Sequence, residues 1–152
     1  MTTSIRRLGE HEADLVAPLF DAYRQFYAQP ADLPRAREFL HQRLAHGESV
    51  VLVAERAGLP AGFVQLFPMF SSVRTARIWV LNDLYVAAGA RRCGIARALL
   101  DAASGFARED GAARIVLETD RTNAAARALY RAAGWDEDDS QWYSLPLAQR
   151  GA

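Results

Sequence analysis

Residues 82–103, NDLYVAAGARRCGIARALLDAA, constrain the fold of this chain more than any other stretch. The run leading into it, Ile78–Val86, is largely apolar at both odd and even positions, as expected of a strand covered on both faces. A short loop of small residues then leads into an amphipathic helix, Gly94–Glu109, with Ile95, Leu99, Ala103 and Phe106 on its core side. Strand, loop and helix in that order place the free N–H groups of a helix start at the end of a buried strand, where they and the helix dipole favour an anion. Gly94 and Ala96 let a ligand approach the backbone closely, and Arg91, Arg92 and Arg97 add positive charge. The loop therefore suits a phosphate or pyrophosphate. Neither the G-x-G-x-x-G dinucleotide fingerprint nor a Walker loop is present.

Around this unit the sequence predicts further alternation of strands and helices. Ser4–Arg7 reads as a short strand, and Glu10–Tyr27 and Pro34–Ala45 as helices, the second with proline suited to its first turn. Val50–Arg56 and Ala61–Phe67 are β-rich runs around Ala57-Gly58, the pattern of a hairpin. Arg114–Glu118 is a second buried strand, and Asn123–Ala133 a helix stopped by Gly134. Trp135 and Gln141–Leu145 read as two closing strands around the acidic turn Asp136–Asp139. Three consecutive strands suit an antiparallel meander, whereas the later strand–helix–strand unit needs a crossover and a parallel pair. The expectation is a mixed α/β (α+β) fold: a mostly antiparallel sheet of about seven strands flanked by four helices.

Composition narrows the function classes. A chain of 152 residues suits one domain, 1–152, and 51% apolar residues suffice for a core without staples. Eighteen basic residues balance eighteen acidic ones, so no net field draws the protein to nucleic acid or to a membrane surface. No apolar run reaches membrane-spanning length, and residues 1–7 lack the apolar core of a signal peptide, which makes the cytoplasm the expected compartment. Cys93 is the single cysteine, and His11, His41 and His46 lack ligand spacing, so no metal site is expected.

Arg91-x-x-Gly94-x-Ala96 matches the R/Q-x-x-G-x-G/A pyrophosphate loop of the GCN5-related N-acetyltransferase (GNAT) family. Asn123 and Tyr130, seven residues apart on one helix, and Gly134-Trp135 after it stand at the family's spacing, and the chain resembles that family over almost its whole length. Asn82-Asp83-Leu84-Tyr85-Val86 is similar to the wording of polyamine- and histone-type members, although polyamine enzymes typically carry Glu where Asn82 stands.

The resemblance implies an acyltransferase that moves acetyl from acetyl-CoA, as co-substrate, to a primary amine by direct attack in a ternary complex. It implies that Tyr130 protonates the leaving thiolate and that Asn123 contacts the pantetheine arm. Leu84, Tyr85 and Val86 would pair with that arm like an added strand, and Arg91, Arg92, Cys93, Gly94, Ile95, Ala96 and Arg97 would hold the pyrophosphate. Asn82 and Asp83 interrupt an apolar strand and should point to opposite faces. One would serve the amine, with Asp83 the candidate base and hydrogen bonding within the fold the alternative. Glu118 is a second candidate base, against a plain strand-end carboxylate. Phe20, Tyr23, Tyr27 and Trp142 are candidate walls for the acceptor, which is a small amine (polyamine or amino-acid-like) or a lysine-like side chain. Members often pair through their C-terminal strands, so a homodimer is implied. The alternative function is a regulatory domain that binds acetyl-CoA without turning it over.

Overall fold

The structure, a computed structural model, describes residues 2–148. Its order is β1 (Thr3–Arg7), α1 (Ala13–Phe26), α2 (Leu33–Ala45), β2 (Val50–Arg56), β3 (Leu59–Ser71), β4 (Ala76–Val86), α3 (Ile95–Glu109), β5 (Arg114–Val116) and α4 (Ala124–Ala132). A short 3-10 turn, Ala88–Ala90, stands between β4 and α3. The strands form one sheet in sequence order, antiparallel from β1 to β4, with β5 parallel to β4. Among the described residues no helix is long and apolar enough to cross a membrane.

Local chemistry accounts for the turns. Asp32 caps α2 by accepting from the Arg35 N–H at 3.1 Å, next to a proline in the first turn. The β2–β3 hairpin turns at Ala57 (φ 52°) and Gly58 (φ 76°), both left-handed, which matches the twist of the flanking strands.

The sheet is covered on both sides, which explains its unbroken apolar runs. In β2, Val51 and Val53 pack with Phe63 under α1 and α2, whereas Val50, Leu52 and Ala54 pack with Leu66, Leu81 and Leu99 under α3. Side chains of this size contribute about 1.5–3 kcal/mol each when fully buried. Gly62 permits a close approach at this junction, because a Cβ there would stand 2.8 Å from the Tyr85 carbonyl and 3.2 Å from Leu99.

The sheet has five strands among the described residues, not about seven. Trp135 and Gln141–Leu145 join no ladder, and the last parallel strand ends at Val116 rather than Glu118. Alternating apolar residues supply the face of a strand, but a strand exists only when a neighbour takes up its backbone groups. Along 135–147 no neighbouring strand does so.

Candidate functional site

The parallel ladder between β4 and β5 is short: it joins Ile78–Val80 to Arg114–Val116 and then ends. From Leu81 onward β4 pairs only with β3, and its other edge faces a cleft of about 320 Å³. The β3–β4 register also slips there. Gln65 stands opposite Asp83 and Leu66 opposite Leu81, so Asn82 is the extra residue of a β-bulge. Splayed strands and a bulge together leave polar backbone of β4 open to a ligand, a geometry that accepts an extended chain as an added strand.

The bulge resets the alternation expected of Asn82 and Asp83. Asp83 is buried, and Asn82 is exposed at the cleft, yet the Asn82 side-chain amide donates to Asp83 Oδ1 at 2.7 Å. The Gln65 amide donates to Asp83 Oδ2 at 2.6 Å. Burial pushes the Asp83 carboxyl above the usual carboxylate range, and the Asn82 and Gln65 hydrogen bonds only partly offset this. On the facing helix, the Tyr23 hydroxyl donates to the Asn82 carbonyl at 3.2 Å. Burial raises the Tyr23 phenol, and the nearby Asp83 charge raises it further. The result is a buried carboxylate held in a fixed orientation by two amides.

Across the cleft, α4 presents Asn123, Ala126, Leu129 and Tyr130. Asn123 caps the helix by accepting from the Ala126 N–H at 3.1 Å while also lining the cleft. Tyr130 is half-buried, and burial followed by the neighbouring Tyr27 raises its phenol pKa, so its proton stays on at neutral pH. Tyr130 can therefore donate a proton to a group in the cleft.

At the end of β4 the chain bends through Arg92 (φ 64°) and Gly94 (φ 75°) into α3. A non-glycine residue at such a φ costs on the order of 1–2 kcal/mol, and strain of this kind concentrates where backbone is aimed at a ligand. No side chain caps α3, so the first-turn N–H groups at Ile95, Ala96 and Arg97 stay available to an anion. The arginines divide. The Arg91 side chain donates to the Val86 carbonyl at 3.1 Å and lies 5.6 Å over the Tyr85 ring. Arg97 pairs with Asp101 at 3.1 Å and reaches the Ala132 carbonyl at 3.3 Å, tying α3 to α4. Arg92 and Cys93 are exposed in the turn.

The structure brings most of the sequence-predicted residues to the cleft; Asp83, Arg92, Cys93, Gly94, Ile95 and Arg97 are not part of its lining, and Phe20 and Trp142 are set apart from it. Asn82, Leu84, Tyr85, Val86, Arg91, Ala96, Asn123, Tyr130, Tyr23 and Tyr27 all line the cleft. Phe20 does not: it is buried between α1, α2 and the sheet, 5.7 Å from the Phe39 ring and 6.2 Å from Phe63. Trp142 is exposed and stands beside the outer edge of β5, away from the cleft. Sequence reasoning passed over Gln65, Phe26, Leu117 and Thr119, whereas Glu118, the second candidate base, lines the cleft between the last two. A lone amide inside GFVQLF was the available signal for Gln65, because a buried polar side chain needs a partner.

Comparison with known proteins bears on this geometry. The sequence model of the Acetyltransferase (GNAT) family matches residues 16–135. An uncharacterized N-acetyltransferase, YhfO, of Bacillus subtilis (strain 168) is 46% identical over 135 residues, covering 89% of this chain and 91% of that protein. A probable acetyltransferase of Haemophilus influenzae is 37% identical over 106 residues, covering 69% of this chain and 73% of the relative. A crystal structure of a probable acetyltransferase superposes with a TM-score of 0.91 at 39% identity, covering 97% of this chain and 99% of the other.

Proposed function

The chain belongs to the GNAT family of acetyltransferases, and we propose that it transfers the acetyl group of acetyl-CoA to a primary amine by direct attack in a ternary complex. One observation carries the reading: the open edge of β4 after Val80 runs directly into the left-handed turn and the uncapped start of α3, with Tyr130 across the same cleft. Those parts fit acetyl-CoA in order. The free backbone of Asn82–Val86 suits the amide-bearing pantetheine arm, and the first-turn amides of α3 suit the pyrophosphate. Arg92 is the loop arginine proposed to add charge there, because Arg91 and Arg97 also brace β4 and α4.

The reaction moves two protons. An alkylammonium has a pKa near 10.4, so the acceptor must lose a proton before attack. Asp83 is the proposed proton acceptor, directly or through water. Burial raises its proton affinity, and Asn82 and Gln65 hold it in place. The nitrogen then attacks the thioester carbon, the carbon–sulfur bond breaks as Tyr130 donates its phenolic proton to the departing sulfur, and the second proton shed by the nitrogen as the amide forms restores the Tyr130 phenol. Backbone N–H groups in the bulged segment suit the developing oxyanion. Tyr23, Phe26 and Tyr27 flank the same cleft and are the proposed wall for the acceptor.

The test is thiol release from acetyl-CoA against polyamines, L- and D-amino acids, aminoglycosides and lysine peptides. Release should depend on one amine class. Tyr130→Phe should lower turnover by about 100-fold or more, the scale of acid–base catalysis, with acetyl-CoA affinity nearly unchanged. Unchanged turnover would remove Tyr130 from the acid role. Gly94→Val forces a β-branched residue into the φ 75° position and should weaken acetyl-CoA binding at least tenfold by calorimetry. Tight binding without release from any amine would favour a regulatory domain.

A further inference from the structure

The cleft beside β4 has aromatic walls and little charge. Tyr23, Phe26, Tyr27, Tyr85 and Tyr130 line its volume of about 320 Å³, and the charged side chains among the described lining residues are Arg91 and Glu118, which cancel. Asp83 is buried behind that lining with both oxygens held by amides. The acidic residues Asp136, Glu137 and Asp138 line a different hollow, along the outer edge of β5. A polyamine or an aminoglycoside would therefore bring more positive charge than the cleft can neutralise, and a charge taken from water without a partner is costly.

The rings are arranged as a series. Phe26 meets Tyr27 at 5.3 Å, Tyr27 meets Tyr23 at 5.0 Å, and Tyr23 meets Tyr85 at 6.2 Å, each pair edge to face. Tyr23, Phe26 and Tyr27 share one side of the end of α1, at i, i+3 and i+4. Phe26 is 64% and Tyr27 59% exposed, so these two rings fill no core. The support beneath them is braced, because the Asp21 carboxylate accepts from the Asp32 N–H at 3.1 Å and from Arg24 at 2.8 Å, tying the loop after α1 back to the helix. At the far end of the series Arg91 already lies 5.6 Å over the Tyr85 ring.

We propose that the acceptor is an arylalkylamine: one primary ammonium on an aromatic body, seated against Tyr23, Phe26 and Tyr27. The body continues the edge-to-face series, and the ammonium is drawn to the ring faces that no arginine covers among the described residues. This assignment rests on the acetyltransferase reading. The ammonium gives one proton to Asp83, and its nitrogen replaces sulfur on the acetyl carbon. Its second proton restores the Tyr130 phenol, whose own proton leaves on the CoA thiol. The product amide is neutral, so it loses the attraction that held the ammonium, and release follows.

The experiment compares 2-phenylethylamine with spermidine and kanamycin in thiol release from acetyl-CoA. The kcat/KM for 2-phenylethylamine should exceed both others at least tenfold, and a smaller preference or the reverse order would overturn the proposal. Phe26→Ala removes an exposed ring, which leaves the core intact, and should raise the KM for 2-phenylethylamine about tenfold with a smaller change in kcat. Phe26→Tyr should restore the KM to within threefold. An unaltered KM in Phe26→Ala would overturn the placement on this arc. Calorimetry of 2-phenylethylamine with the CoA-loaded chain separates the two readings. Binding that Phe26→Ala weakens, without thiol release from any amine, would count against the transfer reading and uphold the aromatic site. No binding would overturn the site itself.

Discussion

The two halves of β4 divide the labour of the molecule. Ile78–Val80 is paired at both edges, with β3 on one side and β5 on the other, and Trp79 there is buried against α3. Leu81–Val86 is paired on one edge only, and the ladder is broken at Asn82. One strand thus passes from complete to incomplete hydrogen bonding within a few residues. The complete half contributes stability, and the incomplete half leaves backbone groups open at the cleft beside a buried carboxylate whose two oxygens are held by amides. The fold and the site are adjacent because the site is where the ladder stops.

That division can be broken by mutation, starting with the paired half. The Trp79 indole N–H donates to Asp110 Oδ2 at 2.9 Å, and its ring meets Phe106 at 5.2 Å. Trp79→Ala should cost about 3–5 kcal/mol in urea unfolding, the usual range for deleting a buried aromatic. The KM for acetyl-CoA of the folded fraction should stay unchanged. A several-fold rise in KM would mean that the two halves are coupled.

Asp83→Asn addresses the open half with the opposite sign. Because burial raises the Asp83 pKa above its unfolded value of 3.8, the folded protein holds that proton more tightly than the unfolded chain. Its ionisation penalty is absent below the unfolded pKa and accumulates as pH rises through the folded one. At neutral pH the amide should therefore stabilise the fold, by about 1 kcal/mol. Gln65 Oε1, a buried acceptor with no partner among the described residues, can turn to receive the new N–H. The wild-type chain should lose stability relative to the variant as pH rises from 4, and the variant's turnover should fall by about 100-fold if Asp83 takes the proton. Equal turnover, with the stability gain intact, would leave Asp83 a purely positioning group.

The smallest effect lies outside both halves. Ala57→Gly relieves a left-handed alanine at the β2–β3 turn and should raise the unfolding free energy by about 0.5 kcal/mol, net of the added chain entropy. Kinetic constants should not move, so this variant is the control for stability without chemistry.

Much of this architecture was legible from residue pattern. A run largely apolar at odd and even positions marked β4 as covered on both faces, β-rich runs around Ala57-Gly58 marked the β2–β3 hairpin, and Gly94 after Arg91 marked the turn into α3. Asn82-Asp83 inside an apolar strand flagged the site, because a polar pair there must have a partner or a purpose. The bulge was not legible. It follows from how Gln65 and Leu66 register against β4, and register is a relation between strands that a single run of residues does not contain. The same limit separates the aromatics: the stripe on α1 is one pattern, but Phe20 turns into the core and Tyr23 and Tyr27 into the cleft.

By itself, then, the sequence determined local matters: which segments are helices, where the chain must turn, which central strand is covered, and which side chains are candidates for chemistry. Propensity, periodicity and special backbone angles act over a few residues and can be read there. Only the tertiary structure decided where the β4–β5 ladder ends, that Asn82 bulges, and that residues 135–147 lack a neighbour along β5. Pairing is a property of two segments brought together by packing, and the sheet stops wherever the second segment is missing.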